Sequence, residues 1–124
     1  MVIMSTEPST DRPPLRERMR AALSVAMKSR DRQAITALRS TLGAIDNAEA
    51  VDVGEQRAGA VETSAVGLGV AEVARRELTE DDIEQIVRAE IADRSITADE
   101  YDRLGRAAQA EDLRVQAKAL DDLL

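Results

Sequence analysis

Apolar residues recur at intervals of three and four along most of the chain, the spacing of amphipathic helices rather than of strands. Leu15, Met19, Leu23, Ala26 and Met27 share one such face. Asp11 precedes Arg12-Pro13-Pro14, and proline is accepted in the first turn of a helix. The pattern predicts a helix over 13–29. Ile35, Leu38, Leu42 and Ile45, interleaved with alanines, set a second helix over 32–51, with Asp31 as its cap. The joint Ser29-Arg30-Asp31 is so short that the two helices should fold back as an antiparallel hairpin. Gly43 interrupts the second helix at a cost of about 1 kcal/mol against alanine, and close packing against another helix is the expected reason for it.

The second half repeats the scheme. Thr79 followed by Asp82 reads as a capping box, and Glu80-Asp81-Asp82 suits the positive end of a helix dipole. Ile83, Ile86, Val87, Ile91, Ala98, Tyr101 and Leu104 continue one face, so one unbroken helix is expected over 80–104. Glu84–Arg88, Glu90–Arg94 and Asp99–Arg103 are spaced for pairs across one helical turn. Gly105 is placed to end this helix in a left-handed conformation. A fourth helix over 107–123 carries Ala110, Leu113, Ala117, Leu120 and Leu124.

Between the hairpins, residues 52–78 hold Gly54, Gly59, Gly67 and Gly69 without a sustained period, and read as a long loop, free or strapped down through Ala65–Val70. Gly67-Leu68-Gly69 follows no strand and completes no dinucleotide fingerprint. Residues 1–12, rich in Ser, Thr and Pro, read as a disordered arm. The expectation is all-α: one domain over 13–124, built as a small four-helix assembly from two antiparallel hairpins, 13–51 and 79–124.

Composition narrows the chemistry. Tyr101 is the one aromatic among 124 residues, so the core must be aliphatic. There is no cysteine and no histidine, which removes disulfides, thiolate nucleophiles and the commonest general base. No apolar run approaches the length of a membrane span. A cytoplasmic location follows as the default. The net charge of −7 is uneven: residues 11–51 carry +3 and residues 52–124 carry −9. The acidic whole argues against general nucleic-acid binding, while the basic half leaves room for a local footprint.

That footprint would be Lys28, Arg30 and Arg32 at the tip of the first hairpin, with Arg39 two turns on and Arg16 and Arg20 along the first helix. Such cations neutralise phosphates. They also suit the carbonyl end of a helix in a solvated turn. No aromatic residue neighbours them in the sequence, so no stacking platform is expected there. Asp46, Asn47, Glu49 and Asp52 are more simply partners of the following loop than cation ligands, since their spacing matches no calcium loop. Tyr101 reads as a core or boundary residue with its hydroxyl at the surface. No residue set suggests a catalytic centre, a cofactor site or a metal site.

Three stretches carry a resemblance. They are Met27-Lys28 with Asp31, Leu38-Arg39, Leu42, Ile45, Asn47 and Glu49; Arg76-Glu77-Leu78-Thr79-Glu80 with Asp82; and Arg94, Ala98, Tyr101, Gly105-Arg106 and Ala110 before the last leucine-bearing helix. In this order and spacing they resemble the GatB/YqeY-like family. The resemblance implies an all-helical fold and kinship with the C-terminal region of the amidotransferase subunit that handles mischarged Glu-tRNA or Asp-tRNA. There the related region is an appendage toward tRNA, and the chemistry lies elsewhere. It therefore implies a non-catalytic module with tRNA, or a protein of tRNA-dependent amidation, as partner. A protein–protein adaptor without a nucleic-acid role is the alternative reading, and the oligomeric state stays open. Stand-alone members of the family continue into a further small helical bundle; the sequence here ends at Leu124, short of that segment.

Overall fold

A computed structural model describes residues 12–61 and 77–124, with side chains placed for 12–50 and 77–124. The described residues form four α-helices and no strand: α1 (Leu15–Ser29), α2 (Arg32–Val61), α3 (Glu80–Arg103) and α4 (Ala107–Asp121). α1 packs against α2 and α3 against α4, giving the two expected hairpins, and α4 then lies against α2. Residues 1–11, most of the expected arm, and residues 62–76 of the expected linker lie outside the described residues.

The start of the linker is corrected. α2 does not end at 51 but runs to Val61, through Gly54. A helix already formed extends by one hydrogen bond per residue without a new nucleus. Glu55, Gln56, Arg57 and Ala58 are good helix formers that offset the glycines locally.

The helix ends follow from local chemistry. The Thr79 hydroxyl accepts from the Asp82 amide, and the Asp82 carboxylate accepts from the Thr79 amide, both at 3.0 Å. At the close of α3, Gly105 adopts φ +76. The amides of Gly105 and Arg106 bond back to the carbonyls of Asp102 and Tyr101, satisfying the last turn. Asp31 caps α2 through the Ala34 amide at 3.2 Å.

The shared core is aliphatic: Leu15 and Met19 from α1, Ala37, Leu38 and Ile45 from α2, Ile83 and Val87 from α3, and Leu120 from α4. Each large side chain so buried contributes about 1.5–3 kcal/mol against leaving it in water. Thr41 is also fully buried, and its hydroxyl has no hydrogen-bond partner among the described residues. The reason expected for Gly43 is corrected, because a Cβ there would meet nothing within 4 Å.

One end of the assembly is the base. There the Glu80 carboxylate accepts from the Leu15 amide at 2.7 Å, so α3's first residue caps α1. Arg18 donates to the carbonyls of Pro13 and Leu123, at 2.6 and 2.9 Å. At the other end α1 turns into α2, and Gln33 of α2 accepts from Gln116 of α4 at 2.7 Å. α3 continues past Arg94, and α4 begins well before Gln116. The shared core contains no residue between Ile91 and Leu120. The second hairpin therefore overhangs the first. About 13 Å of α4 lies beyond the level of Gln33, at 1.5 Å per residue. Inside this overhang Ala98 and Ala110 are fully buried.

Candidate functional site

The tip of the first hairpin is built on an unusual cap. The amides of Arg30 and Asp31 bond back to the carbonyls of Met27 and Ala26, the closure usually made by glycine. Here the left-handed position, φ 60, is held by Arg30. For a residue with a Cβ this backbone costs about 1–2 kcal/mol.

Lys28, Arg30, Arg32 and Arg39 are all exposed. Among the described residues no carboxylate pairs with any of them; the nearest in sequence, that of Asp31, accepts from the Ala34 amide. The fold thus gathers Lys28, Arg30 and Arg32 at the turn, with Arg39 further along α2. The wider basic strip is corrected. Arg16 is drawn to α2, with its guanidinium 3.6 Å from Asp46 and 3.2 Å from Glu49. Those two acids serve helix pairing rather than the following loop. Asn47 is exposed, and the side chain of Asp52 lies outside the described ones. Among the described residues no group of three acids could hold a metal ion.

A buried polar network lies one step below the tip and was not anticipated. Arg94 is only 9% exposed. It donates to Oε1 of Gln116 at 3.1 Å, and to the carbonyl and carboxylate of Glu90 at 3.1 and 2.8 Å. Gln116 donates onward to Gln33. Three helices are thereby tied at one level. The signal in the sequence was a charge at a core position: Arg94 continues the face of Ile83, Val87 and Ala98.

Beyond that level, among the described residues, the shared core does not reach the inner face of the overhang. Tyr101 follows Arg94 by two turns on the same face of α3, and Leu113 and Gln109 precede Gln116 on the same face of α4. With Thr97 and Asp112 they line a shallow groove of ≈ 280 Å³. Tyr101 is half-buried, as a boundary residue should be, and its hydroxyl makes no hydrogen bond among the described residues. The one aromatic side chain thus lines a groove on the second hairpin, and none of the tip cations lines that groove. Tyr101, seven residues after Arg94, lies about 10 Å further along α3 than the level at which Gln116 joins Arg94 to Gln33.

The outer side of the overhang is held by charge. Arg114 donates to Asp99 at 2.9 Å and to Asp102 at 2.7 Å. These hydrogen bonds, that to Asp102 first, raise the pKa of its guanidinium above the ordinary value. The expected Asp99–Arg103 pair is not the one formed, because α4 presents a better-placed cation, and Arg103 instead approaches Glu100 at 3.6 Å. Glu84–Arg88 and Glu90–Arg94 pair as their spacing implies.

A larger hollow of ≈ 460 Å³ at the base is lined by Arg12, Pro13, Arg18, Glu80 and Leu124, but Arg18 and Glu80 are already engaged within the fold. No helix among the described residues is long and apolar enough to cross a membrane. No protein-family model, no curated protein and no solved structure matches this chain.

Proposed function

We propose that this chain is a non-catalytic helical module of the GatB/YqeY-like type that contacts RNA, tRNA above all, through the tip of its first hairpin. The observation that carries the reading is Arg30. A cation occupies a backbone position where glycine would be less strained, and no described carboxylate holds it. Strain kept at an exposed, internally unused side chain points to a use outside the fold. Lys28, Arg32 and Arg39 extend the same charge, within a stretch, residues 11–51, that carries +3 in a chain of net −7. Such a surface positions a phosphate backbone and does no chemistry.

The test is Arg30→Gly, which separates folding from binding. Glycine relieves about 1–2 kcal/mol of left-handed backbone and adds about 0.5–1 kcal/mol of chain entropy. The variant should melt at the same temperature or slightly higher, yet bind tRNA more weakly in a gel-shift titration. Changing Lys28, Arg30 and Arg32 together to alanine should also flatten the salt dependence, by about 0.7–0.9 log units per lost phosphate contact. Unchanged affinity in both variants sinks the tip as the contact.

A second reading, a protein–protein adaptor, is favoured by Ile96 and Leu104, which are 63% and 68% exposed on the overhang. A stable protein partner recovered from nuclease-treated extract, with no retained RNA, would decide for it.

A further inference from the structure

We infer that the groove on the inner face of the overhang receives one unpaired nucleobase bearing an exocyclic amino group, while the tip of the first hairpin holds the adjoining phosphates. This rests on the reading of the tip as an RNA contact and goes beyond it, because it makes the ligand single-stranded and its base composition matter.

The groove has the parts such a base requires. Tyr101 supplies a half-buried aromatic ring, and every base has a face to lay on one. Leu113 adds apolar lining, and the exposed Thr97, Gln109 and Asp112 add hydrogen-bonding groups. A carboxylate accepts from the amino group of cytosine, and a glutamine side chain pairs with adenine. Uracil offers neither amino group. Asp112 also repels phosphate, so a backbone is excluded from the groove itself and kept at the tip. Along the helix axis Tyr101 stands about 10 Å beyond the level of Arg94, Gln116 and Gln33, and Gln33 follows Arg32 in the first turn of α2. A base stacked within a duplex has no free face to lay on Tyr101, whereas loops and ends splay their bases readily.

The chain offers its own reporter. Tyr101 is the sole aromatic residue, so all tyrosine emission comes from this groove. The experiment titrates the full chain with short RNAs of one length: oligocytidylate, oligouridylate, an abasic oligomer and a duplex. Tyrosine emission is read for quenching, and the anisotropy of end-labelled RNA for affinity. Oligocytidylate should quench Tyr101 and bind on the order of tenfold tighter than the abasic oligomer. Oligouridylate should fall between them, and the duplex should bind without quenching. Tyr101→Leu, which keeps apolar bulk, should bring oligocytidylate down to the abasic level and leave abasic binding alone. Tyr101→Phe should keep the preference, and Asp112→Asn should narrow the gap between cytosine and uracil.

Three failures are distinguishable. If no RNA binds, both the groove and the tip fall as RNA contacts. If all four RNAs bind alike and emission is unmoved, the tip stands and the base site is wrong. Quenching by the duplex equal to that by oligocytidylate also overturns the base site, since an unpaired base would then be unnecessary.

Discussion

Gly43 sits inside α2 with open space where its Cβ would be, and neither a positive φ nor a close neighbour requires a glycine there. Alanine at that place restores helix propensity and removes unfolded-chain entropy. Gly43→Ala should therefore raise stability by about 0.5–1 kcal/mol, seen as a higher urea midpoint at unchanged slope. A loss of stability would mean that the helix needs the gap. Thr41, two residues earlier, carries a different cost. Its buried hydroxyl is unpartnered among the described residues, a penalty of about 1–3 kcal/mol in such surroundings. At this scale much was legible beforehand. Thr79, Asp82, Asp31 and Gly105 act on neighbours within a few residues, so their roles follow from spacing alone. Arg30 was visible as a charge but not as a strained residue, because nothing in Ser29-Arg30-Asp31 says which residue takes the left-handed position.

Among elements, the tie between α2, α3 and α4 runs through Arg94 and Gln116. Glu90 is still partly open to water, so losing Arg94 does not strand a fully buried acid, and the full 3–5 kcal/mol of a broken buried pair is not expected. Arg94→Met keeps the stem and removes the donors. It should cost about 1–3 kcal/mol, and a double-mutant cycle with Gln116→Leu should show coupling above about 0.5 kcal/mol. Strict additivity in thermal melts would show that the two residues do not act together. The hairpins and the helix order could be read from the apolar periods, since each period points a face at its neighbour. The network could not, because a charge on an apolar face gains its meaning only from the residues that surround it, and those lie on two other helices. The end of α2 was misplaced for the opposite reason. Gly54 and Gly59 were read as breakers, but a helix already begun tolerates them.

For the whole molecule, the decisive feature is the unequal reach of the two hairpins. Below Arg94 four helices share leucine, isoleucine and methionine; above it two helices share Ala98 and Ala110. Two alanines bury little apolar surface, and the Arg114 pairs with Asp99 and Asp102 are half-exposed, where such pairs are worth about 0–1 kcal/mol. Residues 95–115 should therefore open as a unit well before the core. Native-state hydrogen exchange should show lower opening free energies for their amides than for those of 83–91 and 116–120, with a weak dependence on denaturant because little surface is exposed. Equal protection across both sets would mean that the overhang is no separate unit. A groove on such a segment is one that a ligand can firm up. Oligocytidylate should then slow exchange within 97–113 more than in the core, because binding to the closed hairpin alone lowers the open population. The abasic oligomer, held only at the tip, should leave that stretch as it was.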